Sequence, residues 1–340
     1  MRKDGGFTMR TDWEAVEQLI LRPEAAFSIH SKGRLRPEEP CPIRTCYQRD
    51  RDRIIHSKSF RRLKTKTQVF IKPYGDHYRT RLTHTLEVMQ ISRTIARALR
   101  INEDLTEAIA FGHDLGHTPF GHAGERALAA IMGHFRHNEQ SLRVVDIIEK
   151  DGKGLNLTDE VRDGILNHSG DLQPATWEGQ VVKLSDRIAY VNHDIDDAIR
   201  AGLLQEKDLP QEAVRLLGYS GKERINSLVC SVIAASDRQQ KISMGEAEAA
   251  AMAELREFLF AHVYQNQQAK VEEVMLHRQI AALFDHYVTH ISEVPQLYLQ
   301  VAAKSQDLSE AEQRRLAVCD YIAGMSDDYA FGKFHQLGIL

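Results

Sequence analysis

The chain has 340 residues, of which 42% are hydrophobic and 27% charged, so it can bury a real core in one large or two ordinary domains and is neither fibrous nor disordered. No apolar run approaches the roughly 18 residues needed to cross a bilayer, residues 1–10 carry no apolar signal segment, and Cys41, Cys46, Cys230 and Cys319 fit neither a zinc ribbon nor a disulfide framework. A reducing cytoplasm with no membrane association is the expectation.

Residues 12–21 read as a helix capped by Thr11 or Asp12 and stopped by Pro23. Residues 28–47, with three prolines, read as an extended arm. A helix resumes near Arg49. The second half of Thr65 to Ile71 suggests a short strand or extended loop, and Pro73-Tyr74-Gly75-Asp76 a turn. Helices are then expected over 83–99, 105–113, 123–133, 138–149 and 158–168, and a long one from Pro174 to Leu203. Beyond Pro210 helical spacing continues over 222–238, 245–263, 266–293, 295–304 and 309–322. The fold class predicted is all-α: a helical core over 49–203, an N-terminal helix and arm over 1–48, and a helical C-terminal region over 204–340.

Two features stand out from this background. The formal net charge is −4, yet residues 31–81 hold 15 Lys+Arg against 5 Asp+Glu, which means an anionic ligand or a solvated basic face. On the long helix, Asp186, Tyr190, His193, Asp194 and Asp197 share one side, while Leu184, Ile188, Val191, Ile195 and Ile199 share the other. That polar stripe is either solvent-facing or the wall of a wet site.

The densest chemistry lies in Phe111 to Glu125, where His113, Asp114, His117, His122 and Glu125 are interleaved with four glycines and Pro119. A helix end followed by a polar loop is the bland interpretation. Phe111, Leu115 and Phe120 would pull that loop inward, and buried polar groups then need partners, of which a metal is one. His113 and Asp114 require further ligands from elsewhere; His84 and Asp186 are the candidates. Such a nitrogen/oxygen set suits manganese, iron, cobalt, nickel, zinc or magnesium.

The ordered set His84, His113-Asp114 and Asp186 resembles the H…HD…D pattern of the HD-domain phosphohydrolases. The segments Ser59-Phe60-Arg61-Arg62-Leu63, Thr67-Gln68-Val69-Phe70, Thr80-Arg81-Leu82-Thr83-His84-Thr85 and Phe111 to Glu125 are similar to the narrower dGTPase-like group. The resemblance implies an HD-type helical core and hydrolysis of a deoxynucleoside triphosphate (dNTP) to deoxynucleoside and inorganic triphosphate, with one divalent ion per site on His84, His113, Asp114 and Asp186. It implies His122 and Glu125 as the catalytic pair, acting as acid toward the leaving oxygen or as base toward water. His117 and His137 would lie near the phosphates. Arg81 and Arg187 would bind phosphate, with Arg61, Arg62 and Lys66 also facing it. Gln68 and Asp194 would meet the 3′ hydroxyl, and Tyr190 would exclude a ribose 2′ hydroxyl. It further implies tetramers or hexamers and, in some members, a nucleotide or single-stranded DNA activator. The alternatives are another HD-type nucleotidase or phosphodiesterase, and a nucleotide- or nucleic-acid-binding regulator.

Overall fold

The computed structural model describes residues 9–68, 79–264 and 267–339. Among them the regular structure is helical, and the only strand-like pairings are two isolated bridges, Arg34 with Thr158 and Thr67 with Thr80. The expected strand over the second half of Thr65–Ile71 and the turn at Pro73–Asp76 lie outside the described residues.

The first helix, α1, spans Arg10–Ile20; its cap is Met9, not Thr11 or Asp12, and the Asp12 carboxylate accepts the Met9 backbone N–H at 2.9 Å. Helix α2 (Cys46–Ile55) starts three residues before the sequence suggests, because Thr45 and Gln48 form a reciprocal capping box. The scaffold of the site comes next: α3 (Arg81–Leu99), α4 (Glu103–Gly112), α5 (Gly121–Met132), α6 (His137–Arg143), α7 (Asp159–Asn167) and α8 (Trp177–Arg200). Their starts follow local chemistry: Thr80, Asn102 and Thr176 each accept an N–H from the first turn of α3, α4 and α8.

Helices α3, α4 and α8 pack on one another, with α2 and α7 against α4. Val88, Ile95, Leu105, Ile109, Ile165, Ile188 and Ile195 fill the space between them and are inaccessible to solvent. The polar stripe of α8 does not face solvent: His193 and Asp194 are buried too. The helix is therefore enclosed on both sides, one by core and one by the site.

The C-terminal region supplies α9 (Gly221–Gln239), α10 (Glu246–Leu259), α11 (Gln267–Thr289), α12 (Gln296–Ala302), α13 (Glu310–Ala323) and α14 (Asp327–Leu337). Helix α10 packs on α8 and α11 on α5. No described helix is long and apolar enough to cross a membrane, and all four cysteines are unpaired.

The basic segment behaves differently from the expectation. Arg34 pairs with Asp50, Arg44 with Asp52 at 2.6 Å, and Arg53 with Glu38 at 2.7 Å. These pairs, with Arg51 on Asp104 and Glu107, fasten the N-terminal arm and α2 to the core. Much of the local positive charge is thus neutralised internally.

Candidate metal centre and catalytic cavity

Helix α4 ends at Gly112, and His113 caps it. The chain then turns so close to α6 that a Cβ on Gly116 would lie 2.1 Å from the Ser141 nitrogen and 2.6 Å from the His137 oxygen. Only glycine allows that approach. The Ser141 hydroxyl sews the turn down, donating to the His113 carbonyl at 2.7 Å and accepting the Gly116 N–H at 2.8 Å. Phe120 and Gly121 follow in left-handed conformation, with φ of 63° and 57°, and start α5. The glycines therefore fold the loop back on itself instead of merely ending a helix.

Ring nitrogens of His84 and His113 and a carboxylate oxygen of Asp186 lie within 4.8 Å of one another. Nδ1 of His113 is held by the Ala110 carbonyl at 2.6 Å. Its Nε2 is then a bare lone pair, buried and without a protein hydrogen-bond partner, 3.8 Å from Asp186 Oδ1. His84 is set similarly. Glu87 lies 3.2 Å from His193 Nε2, and His193 Nδ1 is 3.4 Å from His84 Nδ1. A proton donated along that chain leaves His84 Nε2 bare, 3.0 Å from Asp186 Oδ1. Two lone pairs and a carboxylate facing one point repel each other unless a cation lies among them, so the donor set fits a divalent metal.

Asp114 is next to this group but is not part of its tightest cluster. Its carboxylate receives Arg81 at 2.9 Å and lies 3.3 Å from His117 Nε2. Against its burial, the surrounding positive charge, which includes the Arg81 guanidinium bonded to it, keeps it well below the usual carboxylate range.

Glu125 organises the other half. It lies 3.1 Å from His122 Nδ1 and accepts the His137 backbone N–H at 2.9 Å, and both its oxygens lie 3.1 Å from His137 Nδ1. These contacts overcome burial and hold Glu125 ionised far below its normal pKa. His122, with 47% of its side chain exposed, sits at the mouth, while His117 is buried and stacked on His137 at 4.0 Å. Burial pushes the His117 pKa well down.

Both halves open into one cavity of about 600 Å³ whose wall includes Gln68, Arg81, His117, His122, His137, Arg187 and Tyr190. Asp194 is not on that wall: it is buried behind Tyr190 and hydrogen-bonded to its side chain. Arg61, Arg62 and Lys66 do not face the cavity either. Arg61 donates to the His56 carbonyl, Arg62 lines a separate small cavity by Tyr298, and Lys66 is buried against backbone carbonyls. The far wall comes from the C-terminal region, with Met244, Met252 and Arg256. No motif marks them in sequence.

The HD domain profile matches residues 81–191, and the phosphohydrolase-associated domain profile matches 242–336. A deoxyguanosinetriphosphate triphosphohydrolase-like protein of Caldanaerobacter subterraneus is 55% identical over 95% of this chain and 94% of its own. The chain belongs to the dGTPase-like family of HD-domain phosphohydrolases. Similar proteins of Clostridium perfringens and Geobacter sulfurreducens, named alike, share 50% and 38% identity over 97% and 95% of the chain, covering 98% and 96% of their own lengths. The chain is accordingly a hydrolase.

The associated domain does more than wall the cavity. Asp327, at the start of α14, is 4% exposed. One oxygen accepts the Thr67 N–H and hydroxyl at 2.9 and 2.6 Å, and the other accepts the Phe120 N–H at 3.0 Å. Lys66 adds bonds to the carbonyls of His117 and, at 3.0 Å, Ala323; burial lowers its pKa to about 7. Together they tie the Gln68 segment and the His117–His122 turn of this dGTPase-like chain to its C-terminal helices. Neither is legible in sequence, since Asp327 lies 213 residues beyond Asp114 and no helix was expected there. We predict that Asp327→Ala lowers kcat about 10–100-fold by misplacing the turn and lowers Tm by ~5 °C, read by steady-state kinetics and thermal melting. Unchanged kcat would show that the turn holds its geometry without this carboxylate.

Proposed function

We propose that the chain hydrolyses a deoxynucleoside triphosphate to deoxynucleoside and inorganic triphosphate, with His84, His113, Asp114 and Asp186 holding a divalent cation. What carries this reading is that the bare-nitrogen cluster and the His122–Glu125 pair open into a single cavity that also presents unpaired cationic donors. Arg81 uses one terminal nitrogen on Asp114, while its Nε and other terminal nitrogen are buried with no hydrogen-bond partner among the described residues. Buried guanidinium donors without partners suit phosphate oxygens. Arg187 adds a second cation on the same wall.

The cation, when bound, lowers the pKa of water and neutralises charge at the α-phosphorus. Water attacks that phosphorus, the bond to the 5′ oxygen breaks, the 5′ oxygen leaves with a proton as the deoxynucleoside hydroxyl, and triphosphate departs. His122, ordered by Glu125, moves a proton at the mouth of the site. Arg81, Arg187 and His117 hold the phosphates. Tyr190, fixed by Asp194, crowds the sugar and disfavours a 2′ hydroxyl; Asp194 then acts through Tyr190 rather than by direct contact.

The test is a product profile with manganese across all dNTPs and their ribonucleotide counterparts, singly and in mixtures, with assembly state followed in parallel. Triphosphate as product with deoxy preference supports the reading. Pyrophosphate or orthophosphate as product refutes it. Faster turnover in mixtures would reveal an activating nucleotide, and assembly into paired subunits would place the expected oligomer.

A further inference from the structure

The proposed chemistry uses one half of the cavity, and the wall of the other half is a face of α10. Ala249, Met252, Ala253 and Arg256 all line the cavity, and their spacing puts them on one side of the helix. The opposite side, Ala251, Leu255 and Leu259, is buried in the core. Packing therefore fixes which side of α10 the cavity receives. Met244, on the segment leading into α10, lines the same cavity and is half-buried like Met252.

This wall is unlike the metal end. Two thioethers and two alanine methyls offer nothing to a triphosphate, but they suit the face of a planar ring: methionine is polarizable and adapts its shape, and alanine leaves room. Arg256 is the one charged group on this face of α10. It lies close enough to Tyr190 for its charge to bear on that phenol. Tyr190 follows Asp186 by one turn of α8, so Arg256 stands on the sugar side of the proposed nucleotide and not at the metal. Among the described residues no hydrogen bond or ion pair engages its guanidinium.

A guanidinium carries five N–H donors in a fixed fork and accepts nothing. It pairs best with two acceptors side by side. Guanine has such a pair in O6 and N7, whereas adenine sets its N6 amino donor beside N7. Cytosine has another in O2 and N3, which the N3–H of thymine breaks. We infer that this face of α10 is the base subsite: Met244 and Met252 cover the base, and Arg256 selects guanine and cytosine over adenine and thymine. The inference rests on the proposed reaction, from which it takes the direction of the nucleotide in the cavity. All three residues lie within the match to the phosphohydrolase-associated domain, 242–336, so that domain, and not the HD core, carries base selection.

The test measures kcat/KM with manganese for the four dNTPs and for 7-deaza-dGTP, on wild type, Arg256→Met and Arg256→Lys, with products identified by chromatography. Wild type is expected to favour dGTP and dCTP over dATP and dTTP roughly 10–100-fold, the span of one bidentate pair. Replacing N7 in 7-deaza-dGTP costs about 10-fold, since one bond of the pair is lost. Arg256→Met levels the four dNTPs by lowering dGTP and dCTP alone, and it makes 7-deaza-dGTP equal to dGTP. Arg256→Lys keeps the charge without the fork and does the same. Arg256 is exposed, so both variants are expected to fold, as helical circular dichroism checks; if they do not, the wild-type ranking and the 7-deaza-dGTP loss still read the subsite. The ranking is read again as Kd by titration calorimetry on Glu125→Gln, so that slow turnover does not hide it. A wild type indifferent to the base, a ranking unchanged in Arg256→Met, or an equal loss on all four dNTPs (the mark of a phosphate contact) would overturn the inference. Any of these with triphosphate as product refutes the base subsite alone. The expected ranking with pyrophosphate or orthophosphate as product, or with binding and no turnover, refutes the proposed reaction alone.

Discussion

Glu125→Gln is expected to lower kcat for the preferred dNTP by roughly 10²–10⁴-fold, the usual span for losing general acid–base catalysis. The carboxylate serves His122 Nδ1, the His137 backbone N–H and His137 Nδ1 at once. An amide has one acceptor oxygen and two donor hydrogens, so it cannot satisfy three donors, and one histidine must change tautomer. Loss of the negative charge also removes the stabilisation of a protonated His122. The ion at His84, His113 and Asp186 is expected to stay, because Glu125 belongs to a different group of ligating atoms. Steady-state kinetics with metal analysis on the same sample checks both halves. A variant that keeps wild-type kcat would remove His122–Glu125 from the chemistry.

Asp186→Ala should abolish turnover altogether and release the cation. Its Oδ1 lies 3.0 Å from His84 Nε2 and 3.8 Å from His113 Nε2, so it is the one anion that both bare nitrogens face. Without it only Asp114, whose Oδ1 is 3.6 Å from His113 Nε2, is left as countercharge for the two lone pairs, and affinity falls steeply because binding and ligand charge are coupled. Activity that survives with full metal content would transfer the ligand role to Asp114 alone. The two variants separate the halves of the site: Glu125→Gln keeps the ion and loses rate, whereas Asp186→Ala loses both.

Much of this architecture is legible in the residue pattern. Helical periodicity over Leu105 to Phe111 and along Leu184 to Ile199 reports buried faces, and capping residues such as Thr80, Asn102 and Thr176 mark where helices begin. Periodicity could not say whether the polar stripe of α8 faces water or a site, because amphipathicity reports two unlike faces and not what covers each. The structure covers both. The basic run of residues 31–81 misled for a related reason. Charge density along a chain is local, but whether an arginine meets a phosphate or an aspartate depends on partners distant in sequence, such as Asp104 and Glu107 for Arg51.

The sequence by itself determined the all-α class, the family resemblance and the residue types of the ligand set, because these follow from local periodicity and from a few residues in fixed order. Only the tertiary structure decided which nitrogen of each histidine is bare, since that depends on what the other nitrogen touches: Ala110 for His113 and His193 for His84. It alone brought Asp327 to the backbone of Thr67 and Phe120. Contacts between residues far apart in the chain leave no periodic trace, so chemistry that rests on them appears only once the helices are packed.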